Sequence, residues 1–432
     1  MRLFTGLSER QKLFLLNAIT AILYIWVFRQ VYVNYLAVSH AHSAYRVENN
    51  DSLSVFITNL IAFIPILFYK ARNKVSDFIT IFLYVMVHVP TVVGLQYYYK
   101  DYLFVLPYQI SYLFAFILFF CASSNKISQR CCPNSKYAIS LKHFVAFAIF
   151  DVLLIVAVFH SRMRLVSFYN VYDLRMDNMD LDPGIPGIGY LMMWMNSIIP
   201  LMVAIGCYKK NNKLIILGFS MALVYYMVNA MKSVLFIALL SFVLYHFVRK
   251  WGLKFVFPLL TIGLHMAYLL VYFMDNEAVG MGISLLMNRT YGIASQITPM
   301  YIDVFQNHPY TYLSHIGIVN RITGMYPFGD EALGYAIERL YSGEFSQANT
   351  NFLVTDGLSS CGIPGIYIIS VFFYYLLSHL NRITGRFEFW FVAASIMGAI
   401  TSIANLSIFT TLLSTGLLFL MFYYRFVKIN NS

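Results

Sequence analysis

Apolar residues fall along this chain in long, nearly unbroken runs, separated by short polar connections. A hydrocarbon core of about 30 Å takes about 20 apolar residues in helical form. Twelve segments approach that length: 13–33, 53–69, 78–96, 103–122, 143–160, 189–207, 214–230, 233–248, 255–274, 363–380, 387–404 and 408–424. The seventh and eighth belong to one stretch of 35 residues, Leu214 to Val248, interrupted by Asn229 and Lys232. It is too long for one span and short for two, and reads as a hairpin of short helices. The expected fold class is an all-α polytopic membrane protein with about 12 transmembrane helices. Helices 1 to 9 occupy 1–274, with a polar connection at 161–188; a large loop fills 275–362; helices 10 to 12 and the C-terminus fill 363–432.

The large loop has a pattern of its own. Asp330 stands as an N-cap, Leu333, Ala336, Ile337, Leu340 and Tyr341 follow at helical spacing, and Gly343 is a stop. A folded, partly helical cap is expected there, since long one-sided loops are usually functional or disordered. No internal repeat is visible, which argues against an inverted-repeat transporter.

Composition sharpens this picture. Hydrophobic residues make up 59% of the chain and charged ones 11%, against about 25% charged in soluble domains, so a soluble cytosolic enzyme is excluded. The net charge of +11 sits in clusters such as Lys70/Arg72/Lys74, Lys209/Lys210/Lys213 and Arg249/Lys250/Lys254. These fall on every second connection, so the charge marks membrane orientation rather than nucleic-acid binding. Twenty of the 30 basic residues lie on the side of the amino terminus. By the positive-inside tendency that side is cytoplasmic, and both termini are expected there. The first segment is expected to stay as a helix, because it is too long for a signal peptide and lacks a cleavage site. Five cysteines show no metal-ligand or disulfide spacing.

The opposite side carries Arg175, Arg289, Arg321 and Arg339, where basic residues are disfavoured. Arginine suits bidentate binding of phosphate oxygens, and the set points to an anionic ligand; singly, each could instead pair with a loop carboxylate such as Glu331 or Asp356. Lys232 lies between two short apolar runs, facing a cavity or snorkelling to the interface. Asn349 and Asn351, with Asp356 and Gly357, Gly362 and Gly365, form either a polar lip for sugar hydroxyls or a capped loop entering the tenth helix. His308 and His315 are candidate bases or packing residues. The Tyr97-Tyr98-Tyr99 run reads as an interfacial belt.

The order of short motifs resembles the bacterial O-antigen polymerase (Wzy-type) family. It runs through Tyr172-Asp173-Leu174-Arg175, Gly189-Tyr190-Leu191 with Trp194, Lys232-Ser233, Asn288-Arg289, Asp303 to Pro309, and Ala348-Asn349-Thr350-Asn351-Phe352 with Asp356-Gly357. The resemblance implies a GT-C-like membrane glycosyltransferase in the bacterial inner membrane, its site facing the periplasm beneath a periplasmic loop. It implies donor and acceptor oligosaccharides carried on undecaprenyl diphosphate, surrounding membrane lipid, and a chain-length-regulating co-polymerase, with no cofactor, metal or nucleic acid. Arg289 and Arg175 match arginines of the family, and Lys232 and Asn351 match its other polar positions.

A sugar on diphosphate is already activated, so catalysis needs a positioned acceptor hydroxyl and cations for the departing diphosphate. Arg289 and Arg175 are assigned to the diphosphate, with Lys232 auxiliary, Asn349 and Asn351 on the sugar, and Asp356 or His308 as base. Tyr172, Arg321 and Arg339 complete the expected binding residues. The alternatives are an O-antigen ligase and a lipid-linked oligosaccharide flippase. The ligases have a histidine directly before the asparagine, where this chain has Thr350 before Asn351.

Overall fold

The computed structural model describes residues 7–39, 44–124, 139–165, 185, 187–273, 283 and 287–428. It is 81% helical, and nine helices among the described residues are long and apolar enough to cross a membrane, consistent with an all-α polytopic membrane protein. In chain order the helices begin with α1 (Glu9–Ser39), the shorter α2 (Ser52–Phe68), α3 (Val75–Tyr98), α4 (Tyr102–Ser124), α5 (Leu141–Arg162) and α6 (Ile188–Lys209). They continue with α7 (Asn212–Asn229), α8 (Lys232–Trp251) and α9 (Leu253–Val271). Then come α10 (Ile293–Asn307), α11 (Gly317–Thr323), α12 (Leu333–Ser342) and the long α13 (Ile363–Thr384). Last are α14 (Phe389–Ser395), α15 (Met397–Asn405), α16 (Ile408–Leu413) and α17 (Leu417–Phe426).

Three of the twelve expected spans take other forms. The second is α2, which tightens into a 3₁₀ turn at Ile64–Phe68 with Pro65 inside it. The eleventh breaks at Ile396 into α14 and α15, and the twelfth breaks at Gly416, whose φ of +89° ends one helix and opens the next. The 214–248 stretch divides into α7 and α8 through Ala230, held in a left-handed turn at φ +55°.

The chain forms two compact units. Unit 1 comprises Met1–Asn125, Leu253–Ser378 and Ile403–Ser407. Its centre is α3, buried along its length and packed by α1, α2, α4 and α10. Side-chain caps start several of these helices: Ser8 and Gln11 form a reciprocal capping box on α1, and Asp51 accepts from the Leu53 and Ser54 amides of α2 at 3.1 Å. The 275–362 connection is a structural part of this unit, because most of α10 is buried and lies along α3. Gly94 makes that approach feasible: a Cβ there would stand 2.5 Å from the Ser295 Cβ.

Helix α12 matches its expected pattern and ends at Gly343 with φ +79°, but its N-cap is Ala332 rather than Asp330. Burial of Leu333 and Gly334 sets the start: the Gly334 carbonyl accepts from the Ala348 amide at 3.1 Å, anchoring that turn to the following segment.

Unit 2 comprises Lys126–Gly252, His379–Ser402 and Ile408–Ser432, and centres on α6, packed by α7, α8 and α14. Pro200 inside α6 has no N–H to offer the Asn196 carbonyl. Gly398 packs against that freed carbonyl, so closely that any side chain at 398 would collide with it. A short parallel pair, β1 (Ile139–Ser140) with β2 (Val427–Lys428), joins the start of α5 to the end of α17.

Candidate functional site

The densest convergence of polar side chains in unit 1 lies where α3 ends. The hydroxyl of Tyr98 donates to Asp303 Oδ2 at 2.7 Å, and that of Tyr99 to Oδ1 at 2.5 Å. With its only proton engaged, Tyr98 accepts from the Tyr341 hydroxyl at 2.8 Å. The Arg46 guanidinium lies 5.0 Å from the centre of the Tyr98 ring, with one nitrogen 3.5 Å from the Tyr341 oxygen. Asp303 is placed by α10, Tyr341 by α12, and Arg46 by the segment before α2. Beneath them Tyr97 stacks on Tyr32 at 5.1 Å and carries the buried Arg29 guanidinium over its ring.

The charges follow from these neighbours. Burial first, then the Asp303 charge, holds the Tyr99 phenol well above its ordinary pKa, so it stays a donor. Burial disfavours the charge on Arg46, but Tyr98, Tyr341, Asp303 and Glu48 outweigh it and raise its pKa. The result is a half-buried carboxylate with fixed phenolic donors and a permanent cation alongside.

Arg289 stands fourteen residues before Asp303 on the same helical run, which begins at Met287 and continues through α10, so about 20 Å separates the two along the axis. Tyr45, next to Arg46 in the chain, donates from its hydroxyl to Asn288 Oδ1 at 2.7 Å and lies within the field of Arg289. Arg289 itself is exposed and forms no ion pair among the described residues.

A second polar cluster closes the end of the loop. His315 Nε2 stands 3.0 Å from Asp356 Oδ1, and its Nδ1 stands 3.2 Å from the Thr311 hydroxyl. Thr311 also meets the Ser359 carbonyl through both its amide, at 2.8 Å, and its hydroxyl, at 3.0 Å. The side chain of Asp356 is fully enclosed and that of His315 is 6% exposed. Gly362, at φ +70°, and Gly365 let this segment turn into α13; a side chain at Gly365 would strike the Gly357 carbonyl.

The other sequence-predicted residues distribute as follows. Tyr172 and Arg175 lie outside the described residues. Lys232 is the first residue of α8, half-exposed, in unit 2. Arg321 is exposed on α11, and Arg339 is engaged by Glu331 through two bonds of 3.0 and 2.8 Å. Asn349 donates to Gln347 at 2.9 Å, whereas Asn351 is buried and its side-chain oxygen accepts from the Leu353 amide at 3.1 Å, capping the next helical turn. His308 is half-buried beside the Phe328 ring. Sequence reasoning missed Arg46 and the Tyr98/Tyr99/Tyr341 set, and quoted Asp303 only inside a motif. Nothing local in the sequence joins them, since Asp303 lies about two hundred residues from Tyr98 and Tyr99.

No protein-family model, no curated protein and no solved structure matches the chain.

Proposed function

We propose that this protein polymerises oligosaccharide repeat units carried on undecaprenyl diphosphate, as a GT-C-like glycosyltransferase of the bacterial inner membrane, in the pathway of O-antigen or a related polysaccharide. The growing chain leaves its lipid carrier and joins a new lipid-linked unit at the periplasmic face, with a separate co-polymerase setting chain length. The observation that carries this reading is the cluster of Arg46, Tyr98, Tyr99, Tyr341 and Asp303, which combines a cation with phenols and a carboxylate, with the exposed Arg289 further back along the same helical run and without an ion pair among the described residues. Phenols and arginines suit sugar rings and hydroxyls, and an unpaired arginine suits phosphate.

The acceptor hydroxyl oxygen forms a bond to the anomeric carbon as the bond from that carbon to the diphosphate breaks. The electron pair goes to the diphosphate, whose charge Arg289 neutralises. The hydroxyl proton passes to a carboxylate. Asp303 serves this step better than Asp356, which is enclosed and engaged with His315, and better than His308, which lies against the Phe328 ring. Asn349 contributes to sugar positioning at the margin, and Asn351 maintains the turn beneath.

The test is the surface glycolipid profile of a host lacking the gene, complemented with wild-type, Arg289→Ala or Asp303→Asn protein. Loss of the ladder with survival of core bearing one repeat supports a polymerase. Loss of the single-repeat band as well points to a ligase or flippase, and an unchanged ladder overturns the proposal.

A further inference from the structure

Unit 2 contains a cavity of about 490 Å³ that the proposed reaction does not use, within the range of about 300–1,000 Å³ common for small-molecule sites. Its walls are apolar and largely aromatic: Phe144 and Phe147 of α5, Trp194 of α6, and Phe419, Phe422 and Tyr423 of α17. Trp194 stacks on Phe419 at 5.4 Å, and its indole N–H donates to the Leu413 carbonyl at 2.9 Å, so the wall is held rigidly. Two further observations concern polar atoms. The Tyr423 ring belongs to the lining, and its hydroxyl is buried with no hydrogen-bond partner among the described residues. His143, exposed, closes one end beside Ile139 and Val427 of the β1–β2 pair.

That end is basic. Lys142 adjoins His143 at the start of α5 and is exposed, as is Arg425 near the end of α17. Arg386 is turned instead to the backbone, donating to the Tyr424 and Val427 carbonyls at 2.9 and 2.7 Å, and so holds β2 in place. An apolar trough that ends among cations matches a molecule with a long hydrocarbon tail and an anionic head.

We propose that this cavity is a binding site for an anionic phospholipid of the leaflet facing the basic ends of the helices. One acyl chain lies among Phe147, Trp194 and Phe419, and the phosphate faces Lys142, His143 and Arg425. The site is independent of the glycan reading, and its occupancy is read without an activity assay.

The experiment uses the purified full chain in detergent, with phosphatidylglycerol or phosphatidylcholine added, followed by native mass spectrometry and thermal melting. Phosphatidylglycerol should be retained in preference and should raise the melting temperature. The double variant Lys142→Gln/Arg425→Gln, altering exposed residues only, should weaken retention on the order of tenfold or more, as expected for removing two cations beside an anionic headgroup. Leu418→Trp, at a half-exposed lining position, should fill the trough and abolish retention without emptying the core. Equal retention of both lipids overturns the headgroup assignment. Stronger retention of an undecaprenyl phosphate overturns the phospholipid assignment, and retention unchanged in all variants shows annular lipid and overturns the site.

Discussion

In the proposed reaction Arg289 and Asp303 bear the chemistry at the scale of single residues. If Arg289 stabilises the departing diphosphate, alanine there removes one preorganised charge partner, worth on the order of 2–4 kcal/mol of barrier, so turnover should drop by roughly thirtyfold to nearly a thousandfold. In vitro chain extension with lipid-linked repeat units measures this, and undiminished rates in well-expressed Arg289→Ala protein remove the residue from the mechanism. Asp303→Asn should abolish extension yet leave the melting temperature within a few degrees, because the amide has the same shape, its oxygen still accepts from one phenol and its N–H donates to the oxygen of the other. The Tyr99 phenol gives a pH prediction. Its raised pKa means that the folded state holds this proton more tightly than the unfolded chain does. Stability is therefore intact below the ordinary tyrosine pKa of about 10 and is lost as pH climbs above it. The fall in melting temperature between about pH 9.5 and 11 should be shallower in Tyr99→Phe than in wild type; an identical slope would show that Tyr99 titrates as an ordinary phenol.

Whole helices show how far the sequence could be read. Helix α12 was legible because its apolar positions keep helical spacing and Gly343 supplies the left-handed stop. Nine spans were legible because lipid demands long apolar helices with all backbone groups satisfied internally. Helix α10 was not recognised as a core element. Ile293, Ile297, Met300, Tyr301, Val304 and Phe305 have helical spacing, but the segment is below span length and sits inside a polar connection. What makes it core is Gly94, which draws it against α3 and thereby carries Asp303 to Tyr98 and Tyr99, about two hundred residues away in the chain. The Asp303 and Tyr98 pairing, like that of His315 with Asp356, has no local signature, since each partner alone reads as an interfacial or loop residue. In unit 2 the corresponding contact is Gly398 on the Asn196 carbonyl, left free by Pro200. Gly398→Ala forces a methyl into a backbone oxygen and should destabilise by about 3 kcal/mol, at the upper end of overpacking costs. A fluorescence melt of the detergent-purified variant measures this, and a wild-type midpoint would show that α15 can withdraw from α6 at little cost.

For the molecule as a whole, orientation decides whether the site and the proposed substrate meet. Basic residues gather on alternate connections, and Arg289, Arg321 and Arg339 fall on the other set. If those connections are periplasmic, Arg289 faces the leaflet where lipid-linked repeat units await polymerisation. In a variant with its five native cysteines replaced, a cysteine at the exposed position Arg321 should react with a membrane-impermeant maleimide once the outer membrane is permeabilised. A cysteine at Lys209 should react only after the inner membrane is opened. Position 321 is the right reporter because Arg321 lies on α11, outside the hydrogen-bonded cluster, so its replacement leaves Asp303 and its phenols in place. The reverse labelling pattern would put Arg289 in the cytoplasm, away from exported substrate, and the polymerase reading would then fail however well the local geometry suits a sugar diphosphate.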